Sequence, residues 1–401
     1  MCRPPEVADV FRNYGPQFLD THAPSLSGEQ KRALRDIAEC RTAPLGGHKR
    51  RCDSCGYEEI SYNSCRNRHC PKCQATARAQ WLDKQAEYLL DVEYFHVVFT
   101  LPEKLGPLAL QNKRQLYGIL FRAAAETLST LARDPKHLGA DVGFLAVLHT
   151  WGQNLHFHPH LHCVVPGGGL SLDGSRWIGC RRGFFLPVRV LSRLFRGKFL
   201  DYLERAYRAG KLSFSGKILS LKKKALWQEL MRSLRKREWV IYSKPPFGGP
   251  QQVLKYLARY THRVAISNQR IVSIHEGNVS FRWRDYADGS KTKTMTLQAT
   301  EFIRRFLLHV LPKSFVHIRH YGFLSNRVRE HKLTLARNLL GKAHGEEPAP
   351  ATTIIVATDH DDSQVEHAPT CPRCKRGRLL LVEDFKPFRI AGPTSLFFDS
   401  S

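Results

Sequence analysis

The sequence predicts an α+β fold, with a central antiparallel sheet flanked by helices and preceded by a small cysteine-rich module. Three observations carry the prediction. Apolar, strand-like runs at 94–101, 143–151 and 160–165 alternate with longer amphipathic segments. The break between the second and third runs, 152–159, is short enough for a hairpin connection. Cysteine pairs crowd into 40–73, ahead of the first of these strands.

In chain order, a helical segment at 28–38 leads into the cysteine cluster, and a second helix follows at 76–90. The strand at 94–101 opens a new domain, and a helix spans about 113–132. After the strands at 143–151 and 160–165, Gly167, Gly168 and Gly169 end the run. The pattern from 188 to 236 turns helical and basic, and 239–242 reads as a strand. Pro250 suits the first turn of a helix reaching about Thr261. Short strands at 270–274, 279–283 and 292–297 precede a helix at 301–310. Residues 346–368, rich in Pro, Ala and Asp, read as a linker. The expected division is therefore 1–92, 93–345, and a tail at 346–401.

The chain has 401 residues, enough for two or three domains and a sizeable core. It carries 62 Lys and Arg against 36 Asp and Glu, a formal net charge of +26, which favours a polyanion partner through phosphate neutralisation and counterion release. Charge alone does not separate nucleic-acid chemistry from a solvated basic surface. No run of about 18 or more apolar residues suggests a membrane span. The opening Met1 to Glu6 lacks the apolar core of a secretion signal, so a cytoplasmic protein is expected.

Eleven cysteines in such a chain, grouped as Cys-x2-Cys pairs, favour metal over disulfides. Cys52 and Cys55, with Cys70 and Cys73, have nearly the spacing of a four-cysteine zinc site, since each pair turns two thiolates toward one ion. Cys40, His48, Cys65 and His69 are interleaved, giving eight donors, enough for two zinc ions. Arg66, Arg68 and Lys72 lie among them, consistent with either a DNA-facing surface or a structural staple. Cys371 and Cys374 form a further pair near the end, to which the sequence assigns no role.

Two further elements carry chemistry. In His160-Leu-His162, strand alternation puts both imidazoles on one face, where they can hold a divalent ion. Pro159 suggests that His156 and His158 belong to the turn. A third ligand is needed to leave the ion open on its substrate side; Gln153 is the candidate and His158 the alternative. About ninety residues on, Tyr256 and Tyr260 are four apart in the helix-compatible segment, so both phenols can face one point. A Lewis-acid ion such as Mg2+ or Mn2+ beside a tyrosine nucleophile suits cleavage of a DNA strand with covalent capture of its 5′ end. Helix tyrosines more often merely pack, and histidine-rich turns occur on ordinary surfaces. Lys222, Lys223 and Lys224 are candidate phosphate contacts, or equally a solvated helix face.

The runs Thr150 to Asn154 and His158 to His162, with the segment Tyr256-Leu-Ala-Arg-Tyr-Thr-His-Arg-Val-Ala-Ile-Ser267, resemble the two-tyrosine HUH transposases of the insertion-sequence-ninety-one type. The run from Tyr62 to Cys73 is similar to their N-terminal zinc-binding domain, and His320 to Arg327 is a further stretch typical of them. The likeness spans about residues 10–330. It implies an HUH endonuclease-like sheet and rolling-circle transposition, in which single-stranded element ends are nicked and rejoined through 5′-phosphotyrosines on Tyr256 and Tyr260. It implies His160 and His162 as metal ligands, and leaves the third ligand open. Competing readings are a plasmid relaxase or replication initiator of the same chemistry, a metal-dependent hydrolase using water, and a non-catalytic zinc DNA-binding protein. The oligomeric state is not legible in the sequence.

Overall fold

A computed structural model describes residues 3–247, 252–253, 265–286, 288–343 and 368–388. Two helices begin the chain. α1 (Val7–His22) buries Val7, Val10, Phe11 and Phe18, and α2 (Gly28–Glu39) buries Ala33, Leu34 and Ile37. Reciprocal hydrogen bonds between Ser27 and Gln30 (3.3 and 2.9 Å) satisfy the first free amides of α2. The hairpin of β1 (Gly47–Cys52) and β2 (Glu58–Tyr62) follows, then α3 (Gln74–Ala86) and β3 (Tyr94–Thr100).

Helices α4 (Gly106–Gln111) and α5 (Lys113–Arg133) lead through β4 (Ala140–Asp141) into β5 (Phe144–Trp151) and β6 (Phe157–Pro166). Next come β7 (Gly168–Ser171), β8 (Trp177–Gly179), the basic helices α6 (Val188–Arg208) and α7 (Lys224–Lys236), and β9 (Ile241–Phe247). A three-stranded sheet of β10 (Ile271–His275), β11 (Asn278–Asp285) and β12 (Lys291–Gln298) precedes α8 (Ala299–Leu308), β13 (Ile318–Tyr321) and α9 (Arg329–Ala343). The last element among the described residues is β14 (Leu379–Phe385).

The fold is α+β, centred on a five-stranded antiparallel sheet ordered β13-β5-β6-β3-β9. Period-two alternation sorts its residues. Leu161, Cys163 and Val165 of β6, with Phe144, Ala146 and Leu148 of β5 and Phe95, Val97 and Phe99 of β3, bury into one large core that also takes residues from α4, α5, α6 and α7. The opposite face holds Tyr94, Leu145, Val147 and Val164, against which Val253 is fully buried. That second face also bears the strand histidines.

Strand β6 starts earlier than the sequence suggests. It includes His158 and Pro159, which were expected in a turn. Pro159 lies beside the register shift between His149 and Trp151 of β5, and such irregularities tolerate the missing amide hydrogen.

The N-terminal helices do not stand apart from the rest. Their apolar faces share one core with β10, β11, β12 and α8, where Phe11 meets Phe306 edge-on at 5.1 Å. Polar ties reinforce the join: Val7 N–H donates to Asn268 Oδ1 (3.2 Å) and Gln30 Nε2 to the Leu307 carbonyl (2.9 Å). At the other end of the chain, residues expected to form part of a tail supply β14, which pairs with β1 from Gly47↔Phe385 to Cys52↔Leu379.

Glycine is required at Gly322, which has φ of 58°: a Cβ there would lie 1.7 Å from the Val142 carbonyl oxygen. This seats the turn after β13 against the start of β5.

Candidate active site

On β5 and β6, His149 lies directly opposite His160, and Val147 opposite His162. Alternation then aims three imidazoles, His149, His160 and His162, at one point, with a nitrogen of each within 4.8 Å of the others. Ring centroids are 4.4 Å apart for His149 and His162, and 4.7 Å for His160 and His162. His149 and His162 are buried, while His160 is half-buried. Desolvation pushes the pKa of His160 down to about 4, keeping the ring neutral and able to donate a lone pair.

The rings are oriented by their other nitrogens. His160 Nδ1 lies 2.6 Å from the His158 carbonyl, so Nδ1 carries the proton and Nε2 the lone pair. His162 Nδ1 lies 2.8 Å from Nε2 of His96, a buried histidine on β3. If His162 donates across this contact, its Nε2 is likewise the ligand nitrogen. Neutral imidazoles with one nitrogen fixed by a hydrogen bond suit a divalent ion.

Gln153, the expected third ligand, lies in the turn between β5 and β6. Its amide reaches the Tyr286 hydroxyl at 3.5 Å, and its carbonyl accepts from Arg270. His158, the alternative, is exposed at the start of β6, its ring centroid 5.2 Å from that of His160. The third histidine was missed because 143–151 was read only as an apolar strand. The available signal was a histidine in phase with Leu145 and Val147, in the strand expected to pair with His160 and His162. Tyr256 and Tyr260 lie outside the described residues. Val253, three positions before Tyr256, is buried on the histidine-bearing face.

The cysteines group differently from the expected pairing. Cys40, Cys65, Cys70 and Cys73 converge, with Cys73 Sγ 3.6 Å from both Cys40 and Cys65. Hydrogen bonds from Cys65 and Cys70 pull the Cys40 pKa far down, while the same contact with Cys40 drives that of Cys65 up. Four such thiols can ionise together only around a cation, so their donor set fits zinc. Cys52 and Cys55, expected beside Cys70 and Cys73, instead meet Cys371 and Cys374. The reason is the β1–β14 pairing, which carries the chain's end to the turn after β1.

Neither expected histidine joins a cysteine group. His48 lies within β1, opposite Ser61 and Asp384. Both nitrogens of His69 are engaged: Nε2 accepts from the Leu311 amide (3.1 Å) and Nδ1 contacts Asn67 Oδ1 (3.2 Å).

The expected phosphate contacts divide. Arg68 donates to the Phe315 carbonyl (2.8 Å), tying the N-terminal module to the rest, and Lys72 pairs with Glu6 (2.6 Å) within that module. Arg66, Lys222, Lys223 and Lys224 are exposed.

Family comparisons agree with this organisation. A family model described as "Putative transposase" matches residues 143–332, which contain the histidine strands, and one described as "Transposase zinc-binding domain" matches residues 10–101. The chain is 56% identical over 384 residues to "Putative transposase y4qJ" of Sinorhizobium fredii, covering 95% of this chain and 96% of that protein. The chain belongs to the IS91 family of transposases. It is also 31% identical over 292 residues to "Transposase for insertion sequence element IS801" of Pseudomonas savastanoi pv. phaseolicola, covering 72% of this chain and 68% of that one. No solved structure matches. Membership of this family supports a role in DNA transposition and a zinc-binding N-terminal domain. Among the described residues, no helix is long and apolar enough to cross a membrane.

Proposed function

We propose that the protein nicks and rejoins single-stranded DNA at insertion-sequence ends through 5′-phosphotyrosine intermediates, the chemistry of rolling-circle transposition. The observation that carries this reading is the convergence of His149, His160 and His162 on the sheet face where Val253 is buried, three residues before Tyr256. These three histidines would hold Mg2+ or Mn2+, with His149 taking the position expected of Gln153. Such an ion, when bound, supplies Lewis-acid polarisation of a phosphate oxygen.

The protein's own groups do the rest. Tyr256 or Tyr260 loses its phenolic proton, and its oxygen bonds to phosphorus. The bond from phosphorus to the 3′ oxygen breaks, and that oxygen takes up a proton, leaving a free 3′ hydroxyl and a 5′-phosphotyrosine. Attack by a 3′ hydroxyl on that linkage rejoins DNA and restores the phenol. Two tyrosines allow a second transfer before the first is resolved. Zinc held by Cys40, Cys65, Cys70 and Cys73 keeps the N-terminal module in shape. Exposed Arg66 and Lys222, Lys223 and Lys224 serve as phosphate contacts in the cytoplasm, where the substrate is found.

The test uses single-stranded DNA from the element's own ends with Mg2+ or Mn2+, resolved on denaturing gels. Wild type, Tyr256→Phe, Tyr260→Phe and the double variant are compared. A covalent adduct lost in the double variant is expected. Cleavage to free 5′-phosphate ends, indifferent to both tyrosines, would refute the reading in favour of water-mediated hydrolysis.

A further inference from the structure

The four cysteines contributed by the two ends of the chain raise a question separate from the nicking reaction. Cys52 Sγ lies 3.6 Å from Cys374 Sγ, and Cys55 Sγ lies 3.7 Å from Cys371 Sγ. A disulfide needs about 2.05 Å. Four sulfurs arranged tetrahedrally about zinc at about 2.3 Å are separated by about 3.8 Å along each edge. The observed spacing therefore suits a shared ion and not two disulfides.

The backbone around these sulfurs repeats one design twice. In the first loop, Cys52 N–H donates to the Tyr57 carbonyl (2.8 Å) and Gly56 N–H to the Cys52 carbonyl (3.1 Å). In the second, Cys371 N–H donates to the Gly377 carbonyl (2.8 Å) and Lys375 N–H to the Cys371 carbonyl (2.9 Å). The residue after each second cysteine has positive φ, 71° at Gly56 and 57° at Lys375. Each loop thus turns tightly enough to present two sulfurs on the same side.

The loops also hold each other. Asp53 N–H donates to the Arg378 carbonyl (3.1 Å), and Arg378 N–H donates back to Asp53 Oδ1 (2.9 Å). They approach so closely that a Cβ on Gly377 would lie 2.6 Å from Cys52 Sγ and 2.4 Å from Asp53 Oδ1. Gly377 N–H further donates to Cys374 Sγ (3.3 Å), a bond that favours the thiolate. Behind the sulfurs, Leu379 packs against Cys52 and Cys371, and the three-stranded sheet β14-β1-β2 extends from the pair of loops. Arg373, Lys375 and Arg376 are exposed on the second loop and offset the negative charge of a four-thiolate centre.

We propose that Cys52, Cys55, Cys371 and Cys374 form a second, four-thiolate zinc site, which closes a zinc ribbon assembled from both ends of the chain. This assignment stands whether or not the histidines support nicking.

The experiment counts zinc in the full-length protein in a His160→Ala/His162→Ala background, which removes the histidine centre as a competing site. Two zinc ions per chain are expected, falling to one with Cys371→Ser/Cys374→Ser. Unchanged zinc content in that variant would overturn the proposal. Because the variant could disturb folding, the wild-type chain provides a second readout, alkylation of thiols mapped by mass spectrometry. The expected result is protection of Cys52, Cys55, Cys371 and Cys374 with zinc, and rapid modification once a chelator removes it. Equal reactivity with and without zinc would overturn the proposal. So would protection that survives the chelator and yields only to a reductant, because that would identify disulfides.

Discussion

Replacing His96 with phenylalanine tests the histidine centre without touching any of its three members. His96 and His162 are joined by a 2.8 Å contact between Nε2 and Nδ1, in a buried setting where water cannot replace it. Their rings also stack, 5.0 Å between centroids and 14° between planes. Phenylalanine keeps the ring and removes the nitrogen, so the strand stays packed while His162 loses the partner that fixes its tautomer. Loss of such an outer partner typically lowers metal affinity by about 10–100-fold. That corresponds to about 1.4–2.7 kcal/mol of binding free energy. The assay is Mn2+ calorimetry on zinc-loaded protein, with His96→Phe and wild type compared in a Tyr256→Phe/Tyr260→Phe background. With both tyrosines restored, nicking by His96→Phe is expected to recover at high Mn2+, since a positioning residue alters occupancy more than the reaction. An unchanged Mn2+ affinity in a variant that melts like wild type would refute the orientation argument.

Other outcomes follow from the same geometry. His309 is buried and neutral, contacting the Thr150 hydroxyl (3.2 Å) and the Leu155 carbonyl (3.1 Å), and desolvation pushes its pKa down to about 3 from the ordinary 6.5. The unfolded chain therefore binds the extra proton between these values, so stability is full above about 6.5 and falls with pH below it. Between pH 7 and 5.5 this site should cost about 1 kcal/mol, measured by urea unfolding, and His309→Gln should flatten that slope. Gly322→Ala should destabilise the protein by more than about 1 kcal/mol, because its Cβ would meet the Val142 carbonyl oxygen at 1.7 Å; thermal melting checks this. Replacing Lys222, Lys223 and Lys224 with glutamine should lower the salt dependence of single-stranded DNA binding by about 2 in log–log slope, if each neutralises one phosphate. An unchanged slope in fluorescence anisotropy would mark them as a solvated face.

Local pattern made much of this molecule legible. The strands at 94–101 and 143–151 follow from their apolar runs, and the short break at 152–159 gives the hairpin between the second of them and the strand of His160 and His162, whose shared face follows from alternation. The α+β class follows from the same signal. What escaped was contact between distant segments. Cys52 and Cys55 seemed to belong with Cys70 and Cys73 because they are near in sequence, whereas strand pairing delivers Cys371 and Cys374 to them. His149 was hidden for a related reason: its meaning depends on which residue of the neighbouring strand lies opposite. Arg68 and Lys72 looked like free cations, and only the folded chain reveals their bonds, Arg68 to the Phe315 carbonyl and Lys72 to Glu6 at the start of α1. A basic residue's partner cannot be read until the fold has chosen its neighbours.

The pairing of β14 with β1 imposes an order on biosynthesis. Cys52 and Cys374 are 322 positions apart, so at about 5–20 residues per second the first hairpin waits roughly 15–65 s for its third strand. Throughout that interval β1 has an open edge, with backbone groups that will later bond to β14. A chain released early would keep that edge permanently. β14 therefore ties a segment made late to one made early: the edge of β1 is sealed only after translation has passed Phe385.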